Sequence, residues 1–180
     1  MEKIILNGKE ITIRKLAPKD LKDAKKFADY INDLIEEDVY LSVNKKYSLR
    51  DETVFLKSQI EKIKKKNNVF LVAETEKKII GVSSIDRMNG KQGHIGLFGI
   101  SIAREWRRIG LGTFLIAEIF EMAKNGFDPS IKMITLDVIA KNEPAIHLYR
   151  KMGFKKVAVL PKYFRHRGEL LDIVVMNLYL

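Results

Sequence analysis

A glycine-rich turn between a predicted strand and a predicted helix is the stretch of this chain best suited to binding chemistry. It reads RRIGLG from Arg107 to Gly112 and follows the apolar segment 93–102. Glycines lack a Cβ, so a ligand can approach the backbone closely. The free N–H groups and positive dipole end of a new helix favour an anion there. These residues therefore predict a phosphate-binding turn. Leu115 stands where a Rossmann fingerprint has its third glycine, and no Gly-Lys-Ser/Thr follows for a P-loop.

A tyrosine on a later helix is the second candidate for chemistry. The pattern predicts a helix that begins at Asn142 and ends at Gly153. Ala145 and Tyr149 lie on one face of this helix, at positions i and i+4. Taken alone, this spacing is typical of a core aromatic, and Asn142 is a typical helix N-cap.

Composition narrows the class of protein. The chain has 180 residues, a formal net charge of +10 and no cysteine. The length predicts one domain, and the charge favours an acidic protein, a nucleic acid or a phosphorylated small molecule as partner. Disulfides, thiolate metal sites and a cysteine nucleophile are excluded, and the three histidines lack metal-ligand spacing, so we expect no metal. Without a membrane-length apolar run or a signal-peptide region, we expect a cytoplasmic protein with no membrane partner.

Hydrophobic periodicity predicts the elements that must position these groups. Strands are predicted at 9–15, 69–74, 78–85, 93–102, 131–139, 154–160 and 170–180. Helices are predicted from Pro18 to Leu34 or Ile35, from Ser48 through the lysine run, over 110–124 and over 142–152. Segment 36–47 is expected to be a loop or a short broken helix, and 161–169 a basic loop. The fold class is therefore α/β (α+β), with a mixed, mostly antiparallel twisted sheet of about seven strands flanked by about four helices.

Two motifs, in this order, resemble those of the GNAT N-acyltransferase superfamily. The signature Arg/Gln-x-x-Gly-x-Gly/Ala is matched by Arg107, Gly110 and Gly112. The signature Asn-x-x-Ala-x-x-x-Tyr-x-x-x-Gly-Phe is matched by Asn142, Ala145, Tyr149, Gly153 and Phe154. The resemblance covers nearly the whole chain and is weakest over 36–47. It implies one GNAT-like N-acetyltransferase domain over residues 1–180.

The resemblance implies acetyl-CoA as cosubstrate and an acetyl group moved directly to a primary amine. The acceptor is left open among a protein N-terminus, an amino acid, a polyamine and a similar small amine. In the family, the strand before the turn splays from its neighbour at a bulge, its backbone pairs with the pantetheine arm, and one of its N–H groups polarises the thioester carbonyl. The coenzyme-binding residues implied are Ile100, Ser101, Ile102, Arg107, Arg108, Gly110, Leu111, Gly112, Thr113, Asn142 and Ala145.

The same resemblance assigns candidate catalytic and acceptor-binding residues. The hydroxyl of Tyr149 is expected to protonate the departing thiolate. Asp137 occupies the position at which ribosomal-protein N-terminal acetyltransferases carry a catalytic glutamate, so it is a candidate base, acting directly or through water. The alternative is an aspartate on the polar face of a strand. Glu36 and Glu37 are candidates for binding a cationic amine, or else ordinary exposed acids.

A second class of function stays open at this stage. The basic charge also fits a nucleic-acid-binding or regulatory module on the same fold, with coenzyme A as ligand only. The sequence has no recognised nucleic-acid motif, so we do not expect a nucleic acid partner. A homodimer is left open. Acceptor choice is expected to lie in segments 36–47 and 161–169.

Overall fold

The computed structural model describes residues 1–41, 43, 45–76, 78–127 and 130–180. Within these residues the chain forms one eight-stranded sheet and four α-helices. The strands are β1 (Glu2–Leu6), β2 (Lys9–Lys15), β3 (Asn68–Glu74), β4 (Ile79–Arg87), β5 (Ile95–Ile102), β6 (Met133–Ile139), β7 (Lys155–His166) and β8 (Glu169–Tyr179). The helices are α1 (Ala24–Glu36), α2 (Leu49–Lys64), α3 (Leu111–Gly126) and α4 (Glu143–Lys151). The predicted fold class is confirmed, with one strand more than expected.

The sheet is mixed, as the sequence predicts. Its strands lie in the order β1-β2-β3-β4-β5-β6-β8-β7. Only β5 and β6, the pair joined through α3, run parallel in this sheet of described strands, and the other neighbours are antiparallel. A parallel neighbour needs a crossover, and α3 supplies it. The glycine-rich turn thus lies where the chain leaves β5 for this crossover.

Two large hydrophobic cores cover the two faces of the sheet, and a smaller third cluster lies among β6, β7 and β8. Along β3, Leu71 and Ala73 pack in the core that includes α3, while Phe70 and Val72 pack in the core that includes α1 and α2. Successive side chains of a strand point to opposite faces, so this strand, buried except at its last residue, separates the two helix layers. None of the described helices is long and apolar enough to cross a membrane.

Strand β1 is absent from the sequence prediction. It pairs with β2 through a tight turn in which Asn7 has φ 51° and Gly8 φ 72°. Asn-Gly favours this doubly left-handed turn because both residues tolerate positive φ. The dipeptide was therefore the available signal for the extra hairpin.

The predicted basic loop over 161–169 is wrong. Strand β7 continues to His166, and only Arg167 and Gly168 form the turn to β8. Pro161 is accommodated because β7 is an edge strand, where a missing backbone donor costs no ladder bond. The register with β8 shifts between Leu160 and Phe164, so a bulge absorbs the irregularity.

Segment 36–47 is irregular where the structure describes it. Helix α1 ends at Glu36, and α2 begins after a capping box in which Ser48 N donates to Asp51 (2.9 Å) and Asp51 N donates to Ser48 Oγ (3.2 Å). The helix start predicted at Ser48 is confirmed, and the capping box accounts for it. Ser42 and Asn44 of this segment, and Lys77 in the predicted turn between β3 and β4, lie outside the described residues.

Candidate active site

Strands β5 and β6 separate part-way along their length. They pair from Ile95 with Met133 to Leu97 with Thr135, and the pairing stops there. Strand β5 nevertheless continues to Ile102, paired with β4 on its other side without a shift of register along these fully described strands. The expected splay is therefore present, but the expected bulge is not found in β5. A gap opens on one side of residues 98–102.

The backbone of alternate β5 residues faces this gap. Hydrogen bonds join Met88 N to Ile95 O and Ala103 N to Ile80 O, and in an antiparallel ladder such bonds recur at every second residue. Phe98, Ile100 and Ile102 therefore direct their N–H and C=O groups toward β6. This is the backbone edge to which an extended ligand could add as a strand.

The turn that ends this strand brings a helix N-terminus to the gap. Arg108 has φ 61° and Gly110 φ 92°, and Gly110 O accepts the N–H of Phe114 as α3 begins. The amides of Leu111 and Thr113 belong to the first turn of α3, where no preceding carbonyl is available to pair with them. The dipole of a helix of this length adds a partial positive charge at the same point.

The two arginines of the turn have different surroundings. The guanidinium of Arg107 donates through Nε to Ile102 O (2.8 Å) and through Nη2 to Glu37 Oε2 (2.9 Å), and Nη1 bonds the other oxygen of Glu37. Arg108 is exposed and makes no hydrogen bond or ion pair to a described residue. Arg108 is therefore the available cation of the turn, whereas Arg107 is already bonded on three N–H groups.

Gly112 allows α3 to pack closely against its neighbours. A Cβ at this position would lie 3.3 Å from Ile102 Cδ1 and 3.3 Å from Leu148 Cδ2. Such distances are tighter than ordinary van der Waals contact, so a larger residue would push α3 away from β5 and α4. The small residue keeps the helix start beside the gap.

Tyr149 lies on α4 and packs into the core shared with α3. Its ring makes edge contacts with Phe98 (centroids 6.0 Å apart) and Phe154 (5.9 Å). Burial raises the pKa of the Tyr149 phenol to about 12, because the phenolate would be poorly solvated. Its hydroxyl forms no hydrogen bond with any described residue. The site therefore contains a phenol that stays protonated and has its O–H unused.

Asn142 caps α4, as predicted. Its Oδ1 accepts the N–H of Ala145 at 3.3 Å. This bond leaves the Nδ2 donor of Asn142 for another partner. Ala145 itself is half-buried and packs against the core under α3 and α4.

Asp137 lies on the opposite face of β6 from Tyr149. Its neighbours Leu136 and Val138 pack into the core beneath α3, so Asp137 points to the other face, beside Val175 of β8. Asp137 is exposed, but partial desolvation by its neighbours still raises the pKa of its carboxyl above the ordinary value of 3.8. No hydrogen bond or ion pair joins it to the part of the chain that the structure describes. The acid and base candidates therefore lie on opposite faces of the sheet, Tyr149 against Phe98 and Asp137 on the part of β6 beyond its last pair with β5.

The acids at the end of α1 are paired with cations. Glu36 pairs with Lys46, Glu37 with Arg107, and Asp38 with Arg167. The structure brings Glu37 to the glycine-rich turn and leaves Glu36 on an exposed surface pair. Sequence reasoning did not find these partners, since ion pairing across distant segments leaves no local pattern.

Tyr30 and Ser101 are a further pair that sequence reasoning missed. Their hydroxyl oxygens lie 2.8 Å apart and share a hydrogen bond between α1 and β5. The side chain of Ser101 is thus bonded to α1, and its backbone belongs to the set that faces β4.

Among the described residues, no three His, Asp or Glu side chains are grouped so that they could hold a metal ion.

Comparison with known proteins gives a consistent set of matches. A family model described as the acetyltransferase (GNAT) family matches residues 31–154, which contain both sequence motifs. An N-alpha-acetyltransferase of Sulfurisphaera tokodaii is 30% identical over 116 residues, covering 58% of this chain and 67% of the relative. An L-amino acid N-acetyltransferase of Escherichia coli, AaaT, is 32% identical over 107 residues, covering 59% of this chain and 65% of the relative. The aligned part therefore spans about two thirds of these relatives.

Solved structures share the fold. A GNAT-family acetyltransferase from Streptococcus pneumoniae has a TM-score of 0.81 and 26% identity, covering 94% of this chain and 99% of that one. The yncA protein from Salmonella typhimurium, solved with its cofactor acetyl-CoA, has a TM-score of 0.79 and 16% identity, covering 94% and 93%. At 16% identity, the second structure shows only that the two proteins share a fold.

Proposed function

Because the chain belongs to the acetyltransferase (GNAT) family, it is an acyltransferase, and we propose that it transfers the acetyl group of acetyl-CoA directly to a primary α-amine. One observation carries this proposal: the gap between β5 and β6 ends at the N-terminus of α3. An extended arm and a pyrophosphate joined in one ligand fit this arrangement, and coenzyme A has both parts.

The residues around the gap suit each part of the coenzyme. The first-turn amides from Leu111 to Thr113 would bind the pyrophosphate, with Arg108 as an added cation. The backbone N–H groups of Ile100 and Ile102 would pair with the pantetheine arm, and one of them would support the thioester oxygen as it gains negative charge. The Nδ2 group of Asn142 would donate to the same arm while its Oδ1 caps α4.

Two side chains would move the protons of the reaction. Acetyl-CoA supplies an acetyl thioester that an amine can attack directly. Asp137 would accept the proton of the amine, directly or through water, from the face of β6 on which it lies. Tyr149 would donate its hydroxyl proton to the departing thiolate from the other face. The two transfers balance for the neutral amine, which loses one proton as the amide forms while the thiolate gains one; an ammonium must first release a further proton to water.

Charge around the gap favours an acceptor with one amino group. A polyamine needs several free carboxylates, but the three acids at the end of α1 each pair with a cation. Asp137 carries no such partner among the described residues. The names of the two relatives, an N-alpha-acetyltransferase and an amino acid N-acetyltransferase, also support an α-amine.

An acceptor panel with acetyl-CoA, read by release of free thiol, tests this function. We expect thiol release with a peptide bearing a free α-amine or with a free amino acid. We expect none above background with spermidine or with the same peptide blocked at its α-amine and carrying a lysine. Equal rates with spermidine would refute the acceptor class, and no release with any amine would refute the activity.

Replacing Asp137 by Asn should lower kcat about tenfold at pH 7. The effect is moderate because an ordinary α-amine, with a pKa of about 7.7–8.0, already loses part of its proton at that pH. Asp137 can accept a proton only while its carboxyl is ionised, so wild-type kcat should fall as the pH decreases toward the pKa of that carboxyl, which lies above 3.8. This acidic decrease in kcat should disappear in Asp137→Asn, and the difference in kcat between the wild type and the variant should shrink above about pH 8.

The matched control for that variant is Asp86→Asn. Asp86 is a carboxylate on β4 that pairs with Lys62 and lies opposite Leu97, which still pairs with β6. Its replacement should leave the pH profile of kcat unchanged. An unchanged profile in Asp137→Asn as well would remove Asp137 from the proton transfer.

A further inference from the structure

The Arg107–Glu37 pair connects two parts of the site that are distant in sequence. Arg107 belongs to the turn before α3, and Glu37 follows the last residue of α1. Both oxygens of Glu37 accept from the two terminal nitrogens of Arg107, while Nε of the same guanidinium holds the carbonyl of Ile102. The side chains are 36% and 20% exposed, so the pair is partly shielded from water. Two-point bonding of this kind fixes orientation as well as distance.

The residues after Glu37 contact the hairpin between β7 and β8. Asp38 pairs with Arg167 at the β7–β8 turn, and its Oδ2 lies 3.7 Å from His166 Nε2. The ring of Tyr40 meets His166 edge-on at 4.9 Å. Adjacent residues Glu37 and Asp38 thus join the glycine-rich turn on one side to the β7–β8 hairpin on the other.

Other donors at the turn make Arg107 unnecessary as a phosphate ligand. Arg108 is exposed and bonded to no described residue, and the first-turn amides of α3 point out of the helix end. Moving Arg107 to a phosphate would leave Glu37 partly shielded without its partner, which is unfavourable for a carboxylate. It would also release the carbonyl of Ile102, which faces the gap. Keeping Arg107 paired with Glu37 has no comparable free-energy cost.

We propose that Arg107 and Glu37 are positioning residues, which transmit coenzyme occupancy of the α3 N-terminus to the acceptor wall formed by residues 37–41. The inference rests on the proposed function and deepens it. Coenzyme bound at the turn holds Arg107 in place, Arg107 holds Glu37, and the wall that receives the amine is then ordered. Neither side chain contacts the coenzyme or the amine.

Glu37→Gln is the direct test, because it keeps the shape of the side chain and removes its charge. Asp29→Asn is the matched control, since it removes the carboxylate of an exposed pair with Lys25 on the same helix. Hydrogen exchange is measured with and without coenzyme A. In the wild type and in Asp29→Asn, coenzyme should slow exchange at Leu111–Thr113 and also at 37–41. In Glu37→Gln, protection at 37–41 should be lost while protection at Leu111–Thr113 remains.

Kinetics give the second readout. Glu37→Gln should raise the acceptor KM about tenfold, within the usual range of coupling between sites, and leave the dissociation constant of coenzyme A within about threefold. Arg107→Gln should do the same. Protection at 37–41 that persists in Glu37→Gln, or a coenzyme affinity lost only in Arg107→Gln, would overturn the coupling. No protection at Leu111–Thr113 in the wild type would instead refute the coenzyme site itself, and the coupling with it.

Discussion

Replacing Tyr149 by Phe should lower kcat about 100-fold or more, with coenzyme affinity nearly unchanged. The phenylalanine keeps the edge contacts with Phe98 and Phe154 and loses only the hydroxyl. Without that proton donor, the thiolate must leave unprotonated or take its proton from water. The measurement is steady-state kcat with acetyl-CoA and a saturating acceptor, together with calorimetric titration of coenzyme A.

The raised pKa of Tyr149 sets the expected pH dependence. A pKa of about 12 keeps the phenol protonated throughout the working range. Loss of its proton should therefore not reduce kcat between about pH 7 and pH 10. A phenol of this pKa is a weaker acid than an ordinary thiol, whose pKa is about 8.5, but the same burial raises the pKa of a thiol held beside it. The pKa values of the phenol and the thiol are therefore closer to each other, and proton transfer from Tyr149 to the thiolate is less unfavourable.

The control for this variant is Tyr179→Phe, which removes an exposed hydroxyl at the end of β8. It should change kcat less than about twofold, as surface substitutions usually have little effect. A Tyr149→Phe protein with wild-type kcat would exclude the tyrosine as the proton donor. A fall in kcat matched by loss of coenzyme binding would instead indicate a packing role.

Replacing Gly110 by Asp should weaken coenzyme A binding about 100-fold or more. Apart from its two chain neighbours, no atom of a described residue lies within 4 Å of the position that a Cβ would take, so the side chain fits but projects beside the first turn of α3. There its carboxylate would occupy the place of the phosphate and repel it. The φ of 92° adds backbone strain of about 1–3 kcal/mol, but an acid at a helix N-terminus partly offsets it. Calorimetry measures the affinity, and thermal unfolding checks the fold.

Gly110→Asn separates charge from shape in this experiment. Asn has nearly the size of Asp, tolerates positive φ as well, and carries no charge. We expect its loss of affinity to stay below about tenfold. Equal losses for Asn and Asp would mean that space, not charge, limits the ligand. Unchanged affinity in both variants would mean that the phosphate site lies elsewhere.

Local chemistry in the sequence predicts much of the fold. The alternation of Ile11 and Ile13 predicts β2 with its observed bounds, and Ser48 with Asp51 predicts the start of α2. These features can be recognised in the sequence because each depends on residues within one turn or one strand. The glycine-rich turn over 107–112 can be recognised for the same reason, since Gly110 needs positive φ and Gly112 needs a small side chain.

What the sequence did not predict depends on distant partners. The continuation of β7 through Pro161 requires that this strand lie at the sheet edge, a fact set by the order of strands. Likewise, Glu37 looks like any other surface acid until the fold brings Arg107 beside it. The opening between β5 and β6 was expected from the family resemblance alone, because where parallel pairing stops leaves no local signal in the sequence. The β1 hairpin differs, since its Asn-Gly signal was present and was not used.

The central claim is that coenzyme A binds in the gap between β5 and β6, with its pyrophosphate at the start of α3. A crystal structure of the acetyl-CoA complex measures this directly. The account predicts pyrophosphate oxygens within about 3.2 Å of the amide nitrogens of Leu111–Thr113, and the pantetheine arm alongside Ile100 and Ile102. A coenzyme bound elsewhere, for example in the polar groove beside Arg14 and Lys19, with the β5–β6 gap empty, would contradict it.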